Sequence, residues 1–244
     1  MRKFAIFILS IIIVLCSCGI GYKYFQYHKD SKTYSGIQQL KPKPLNHDEP
    51  NDMLIVPSDK NNTSYDIPLM DINDEYKFWI SIDNTNIDYP VVQHNDNKFY
   101  LNHDFNKDKS IGGSIFIDSR NDITTDKNLV IYGHNMKNKS MFNNLKKFES
   151  KDFFLNSTIE ILTNSSLYNY DVFSVYKMDA DDLNLKFSFS NNDEYLEYLN
   201  TLARKSLYSN NINLDSNTCI ITLITCSYEF EDARTVVHAI RSID

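Results

Sequence analysis

Three side chains suited to acyl transfer stand at the ends of apolar runs. Thr222-Leu-Ile-Thr-Cys226 reads as a buried strand that delivers a thiol to its own end, because Ser227-Tyr-Glu-Phe-Glu-Asp232 is polar and acidic. Arg234 follows, just before Thr235-Val-Val-His-Ala-Ile240. Upstream, the apolar run in Leu129-Val-Ile-Tyr-Gly-His134 ends in an imidazole. A thiol attacks as its thiolate, which a nearby cation favours. An imidazole at the mouth of a sheet is placed for general acid and base work. A guanidinium offers a planar donor fork to a developing oxyanion. Together these are the parts of a thioester route.

Each residue taken alone has a plainer reading. A strand cysteine is usually core. Arg234 can balance Glu229, Glu231 or Asp232 as a surface ion pair. His28 and His47 fall in polar stretches, His94 and His103 in a loop, and His238 inside a strand where a satisfied histidine is expected. Cys219 reads as a small buried hydrophobe. A Cys219–Cys226 disulfide is not expected, because seven residues of extended strand place them about 23 Å apart. The ordered set His134, Cys226, Arg234 is more specific than any member of it.

The elements that must position these groups are mostly strands. Phe78–Ile82, Ile87–Gln93, Ser114–Asp118, Asn128–Tyr132, Thr158–Thr163, Tyr168–Met178, Thr218–Thr225 and Thr235–Ile243 are short apolar runs separated by turn signals. That pattern predicts a barrel or sandwich. Helical spacing marks Ser140–Phe148 and Asp193–Tyr208.

The first residues form a different region. Phe4 to Ile20 carries no charge, and with its neighbours it approaches the roughly 20 residues that a span needs. Residues 1–22 are read as an N-terminal membrane anchor, the membrane contact being residues 4–22. A cleaved signal peptide and a lipoprotein signal ending at Cys18 are its rivals. Residues 23–66, with Lys41-Pro-Lys-Pro44 and Asn46-His-Asp-Glu-Pro50, read as stalk and lead-in, with a helix in part of 23–40. Residues 67–244 form the expected catalytic domain. The net charge of −7 and the lack of a basic stripe argue against a nucleic-acid partner.

The motif set resembles the sortase family, class B. The resemblance rests on Tyr132-Gly-His134-Asn, Thr222-Leu-Ile-Thr-Cys226 and Arg234-Thr-Val-Val-His-Ala239. It extends to Tyr89-Pro-Val-Val-Gln-His-Asn-Asp-Asn97-Lys-Phe-Tyr-Leu101 and Gly113-Ser-Ile-Phe-Ile-Asp118-Ser-Arg. It implies a mainly β fold: a closed eight-stranded barrel with N-terminal helices and a helix inserted before the Cys-bearing strand. It also implies a membrane-anchored, extracytoplasmic cysteine transpeptidase that cuts a C-terminal sorting motif of secreted proteins after a Thr. The acyl group then passes to an amine of a peptidoglycan precursor. By that resemblance Cys226 is the nucleophile, His134 the general acid/base and Arg234 the oxyanion or substrate-binding group. Asn97, Thr225 and Leu185 line the peptide groove. No metal or organic cofactor is required, and Asp179-Ala-Asp-Asp182 reads as a solvated loop. Ile224 stands where a small hydroxyl residue is common, and Asp181–Leu185 lacks an aromatic, so motif preference is expected to differ. A cysteine peptidase with water as acceptor and a non-catalytic surface-anchored binding protein are the competing readings.

Overall fold

The computed structural model describes residues 2–42, 67–163, 166–226 and 232–242. Its eight strands are β1 (Tyr76–Ile82), β2 (Asp88–Val92), β3 (Ile115–Ile117), β4 (Asn128–Tyr132), β5 (Thr158–Leu162), β6 (Leu167–Asp179), β7 (Ile220–Cys226) and β8 (Ala233–Arg241). They close into a barrel in the order β1-β2-β3-β4-β7-β8-β6-β5. Closure removes the unpaired edges that an open sheet would expose. The β2–β3 and β4–β7 pairs are parallel and the others antiparallel.

Period-two alternation gives each strand an inner and an outer face. In β7, Ile221 and Leu223 join Leu129, Ile131, Val237 and Ala239 in the main core. Ile220 and Ile224 face the other way, and that outer face is covered too. Helix α4 (Asn192–Lys205; α1–α3 follow below) lays Tyr195, Leu199 and Leu202 over Ile220 and Ile240. Farther along, Leu183, Leu185 and Phe187 pack over Val130, Ile224 and Val236. Coverage on both faces explains why β7 is apolar almost throughout rather than alternating.

Helix α4 starts where an Asn191 side chain accepts the Glu194 N–H at 2.8 Å, which satisfies an otherwise orphaned donor. Asp193 and Glu194 in its first turn and Arg204 and Lys205 in its last suit the helix dipole. It stops at Lys205, short of the expected Tyr208, whose ring instead leaves the helix to pack against Phe154. The predicted helix over 140–148 is a 3-10 stretch, Phe142–Glu149, followed by the short helix α3 (Lys151–Asn156). The reason lies in the spacing. Phe142, Leu145 and Phe148 are all fully buried and three residues apart, and a helix of three residues per turn puts all of them on one face.

Helix α1 (Arg2–Gln38) runs unbroken through residue 22; α2 is Ile67–Ile72. Ile6–Gln38 is long and apolar enough to cross a membrane by length and composition, with a mean hydropathy of 2.2 in its best window. Beyond that window's apolar residues, Asp30, Tyr34 and Ile37 are buried against the barrel. The Tyr34 hydroxyl donates to the Gly113 carbonyl at 2.7 Å, and Lys41 Nζ meets Asp88 Oδ1 at 2.7 Å.

A polar chain crosses the outer face of the wall. Thr222 Oγ1 donates to Asn128 Oδ1 at 2.7 Å, so it accepts from His238 Nδ1 at 2.8 Å. His238 Nε2 then accepts from the Tyr176 hydroxyl at 2.9 Å. The histidine is satisfied as a neutral ring with its proton on Nδ1. Burial pushes its pKa down to about 3. The unfolded chain therefore binds a proton that the folded chain refuses between about pH 6.5 and 3. Stability is full above that window and falls as pH drops through it. His238→Gln should flatten the decline in melting temperature across pH 6.5–4, read by circular dichroism.

Candidate active site

The parallel ladder between β4 and β7 pairs Asn128 with Ile220 and Tyr132 with Ile224. Both strands thus end at the same rim, and His134 and Cys226 each lie two residues past the Tyr132–Ile224 pair. The ladder continues irregularly: Gly133 N donates to the Ile224 carbonyl at 3.2 Å, and Thr225 Oγ1 donates to the Gly133 carbonyl at 2.7 Å. Gly133 is required there. A Cβ would lie 2.5 Å from Ile115 Cδ1 and 2.8 Å from the Phe142 ring.

His134 Nε2 lies 2.7 Å from the Leu101 carbonyl. A carbonyl only accepts, so Nε2 carries the hydrogen and Nδ1 is left as the acceptor nitrogen of the ring. Cys226 is the last residue of β7, one past the expected end, and is half-buried. It pairs directly with Arg234 across the β7–β8 ladder. Residues directly opposite in an antiparallel pair point to the same face, with Cβ atoms roughly 5 Å apart. Arg234 Nη1 donates to the carbonyls of Asp232 and Ala233, both at 3.0 Å. Glu229 and Glu231, the other expected partners, lie outside the described residues.

His134, Cys226 and Arg234 open onto one cavity of about 280 Å³. Asn97 and Thr225 line it as well, joined by Leu101, Tyr132 and Leu183. Asn97 is held by the Ser119 N–H, which donates to its Oδ1 at 2.7 Å. Leu185 is not in this lining; it packs beneath, against Val130, Ile224 and Val236. Leu183, two residues earlier, supplies the apolar wall instead. His94 and His103 lie elsewhere, stacked on either side of Phe99 at 4.5 and 4.0 Å between centroids.

A supporting network was not legible in the sequence. Asp118 is fully buried, and its Oδ2 accepts from the Tyr132 hydroxyl at 2.9 Å and Arg120 Nη2 at 2.8 Å. Its Oδ1 accepts from Arg120 Nε at 2.9 Å and from the Arg120 N–H at 3.0 Å. Burial pushes the carboxyl up, but the bonds from Arg120, Asn97 and Tyr132 outweigh it and hold Asp118 below the usual carboxylate range. Burial and the Asp118 charge push the Tyr132 phenol up, so it stays a donor. Arg120 also covers the Phe187 ring at 4.7 Å, tying the loop that carries Leu183 to the barrel. The Asp-x-Arg spacing at 118–120 was the available signal, but a carboxylate and a guanidinium two apart in a loop look like solvated charge.

The model of the sortase domain matches residues 80–242. The chain belongs to the sortase family. It is 36% identical over 173 residues to sortase B of Listeria monocytogenes, which covers 69% of this chain and 70% of the relative. It is 30% identical over 244 residues to sortase B of Staphylococcus aureus, covering 98% of this chain and 97% of the relative. Its fold is similar to the X-ray structure of Clostridium perfringens sortase B, with TM-score 0.71 and 46% identity over 73% of this chain and 100% of the other. These likenesses place it in class B, an enzyme with extracytoplasmic cysteine transpeptidase function. In this class B sortase the cavity opens on the outer face of the barrel wall, because Cys226 follows the outward set Ile220, Thr222, Ile224.

Asp118→Ala should cost about 1–3 kcal/mol in urea unfolding at neutral pH, since it removes the acceptor of the part-buried Tyr132 hydroxyl and the carboxylate partner of Arg120. The Asp118 contribution is present above the unfolded carboxylate pKa and lost as pH falls through the lower folded one, so the variant should be less acid-sensitive than the wild type.

Proposed function

We propose that Cys226, His134 and Arg234 are the reacting and charge-stabilising groups, and that the cavity of about 280 Å³ they share accepts a sorting-motif peptide. The convergence of all three on that one cavity is the observation that carries this reading. The thiolate of Cys226 attacks the carbonyl carbon of the scissile Thr. The oxyanion that forms is met by the Arg234 guanidinium, whose remaining N–H groups are not used by the Asp232 and Ala233 carbonyls. His134 Nδ1 delivers a proton to the departing amine, the C–N bond breaks and a thioester remains. An incoming amine attacks the thioester carbon, loses its proton to Nδ1 and expels the thiolate. Nδ1 enters the first half-reaction carrying the proton given up by the Cys226 thiol, so the two half-reactions together return the enzyme to its starting state.

Asn97 presents a fixed amide to the peptide backbone, and Thr225 belongs to the same wall. Leu185 supports the groove through Leu183 and Ile224. The acyl donor is the C-terminal sorting motif of a secreted protein, and the acceptor is an amine of a peptidoglycan precursor. The apolar part of α1 anchors the enzyme in the cell membrane with the catalytic domain outside. Sortase B relatives of this similarity support these partners at the level of class.

Incubating the detergent-solubilised chain with a panel of Pro-Xaa-Thr peptides should give a covalent adduct on Cys226 by mass spectrometry. Cys226→Ala should give none while melting at the wild-type temperature. Arg234→Lys keeps charge but loses the fork, and turnover should fall about 100-fold or more; wild-type turnover would return Arg234 to a merely structural role. Added oligoglycine or hydroxylamine should become the main acceptor. Hydrolysed product persisting as the main outcome would favour the cysteine-peptidase reading.

A further inference from the structure

Where β7 ends, the Cys226 carbonyl accepts from Asn135 Nδ2 at 2.8 Å. Asn135 directly follows His134, so one amide side chain joins the segment bearing the imidazole to the segment bearing the thiol. Behind it, Asn143 Nδ2 donates to Asn135 Oδ1 at 2.6 Å. The polarity of this relay is forced. The Cys226 carbonyl can only accept, so Asn135 must aim its NH2 group there and its oxygen at Asn143, which must then present its own NH2.

Asn143 is only 8% exposed and stands in the 3-10 stretch beside the fully buried Phe142, Leu145 and Phe148. Its Oδ1 has no hydrogen-bond partner among the described residues. A buried amide with its acceptor unmet is worse for stability than an apolar side chain of similar volume. Packing alone would therefore favour leucine at 143. What asparagine supplies that leucine does not is the N–H donated to Asn135. The same loop is pinned from its other end, where Phe142 N donates to the His134 carbonyl at 2.9 Å and Asn135 bridges to Met141. Met141 adopts φ 54°, a left-handed conformation unfavourable for a methionine. Strain at Met141 and the unmet oxygen at Asn143 both fall in the short segment that returns onto the His134 loop.

We infer that Asn135 and Asn143 are positioning residues for the acyl-transfer step: they hold the end of β7 at a set separation from His134 without touching substrate. Neither lines the cavity. This inference rests on Cys226 and His134 acting as proposed above, and deepens that reading.

The test compares Asn143→Leu and Asn143→Asp with wild type in the full chain, using a Pro-Xaa-Thr peptide as acyl donor and oligoglycine as acceptor. Asn143→Leu should keep or raise the melting temperature, because it removes a half-satisfied buried amide. Its kcat should nonetheless fall about 10- to 100-fold, the cost of small misplacements of reacting groups. KM should stay within about twofold, as expected when ground-state binding is untouched. Asn143→Asp, which has no N–H to give, should lose kcat in the same way. Retention of wild-type kcat by either variant overturns the inference. So does a fall in kcat that tracks a fall in melting temperature, or failure of both variants to fold, since either outcome makes the pair structural. Cys226→Ala runs alongside: transfer persisting in that variant indicts the nucleophile assignment instead, with the asparagine result read separately.

Discussion

The parallel pairing of β4 with β7 is the constraint on which the site depends. Tyr132 and Ile224 are 92 positions apart in the chain, yet the ladder sets them side by side. Because the strands run the same way, both chains leave the sheet at one rim, and the residues two positions on arrive together. An antiparallel pairing would have sent His134 and Cys226 to opposite ends of the barrel. The antiparallel return through β8 then sets Arg234 opposite Cys226. One parallel and one antiparallel ladder thus deliver three distant side chains to one place without any long excursion of loop.

The surroundings are built to keep that place rigid. The outer face of the wall is covered by α4 at one end and by the 183–187 segment at the other, and the cavity opens beside the latter. Beneath the cover, the buried polar groups of Asn128, Thr222, His238 and Tyr176 satisfy one another in a single chain. Fully paired buried networks rigidify a wall, whereas partly paired ones weaken it. Asp118 performs the same service at the cavity's edge by holding Tyr132 and Arg120 together, and through Arg120 the 183–187 segment. Asn143 departs from this pattern, a buried amide left half-paired among the described residues, beside the loop that follows His134.

Much of this was readable from residue patterns because strands of a covered barrel announce themselves. All eight expected strands are present, their limits shifted by a few residues. The 140–148 segment was legible as helical but not as 3-10, because Met141 and Leu145 fit a period of 3.6 while Phe142, Leu145 and Phe148 fit a period of three. The resemblance placed Leu185, from the loop before α4, at the groove, and it is Leu183 of that loop that lines the cavity. Which of its leucines faces the cavity was not legible, since Leu183 and Leu185 are equally apolar and only the outer-face packing separates them. Asp118, Asn135 and Asn143 look like ordinary loop polars until their partners, which lie between 8 and 91 residues away in the longer bonds, are in view.

From residue types alone came the chemistry available to the chain: a thiol, an imidazole and a guanidinium at strand ends, a β-rich architecture and an apolar N-terminal run. Those follow from short-range physics, in which side-chain periodicity reports burial and reactive groups are recognised by type. Tertiary structure decided which rim the strands share, which face of the wall carries the cavity, and which polar side chains bond to the segments that bear His134 and Cys226. Those depend on pairings between segments far apart in the chain, and no local pattern encodes the partner of a buried hydrogen bond.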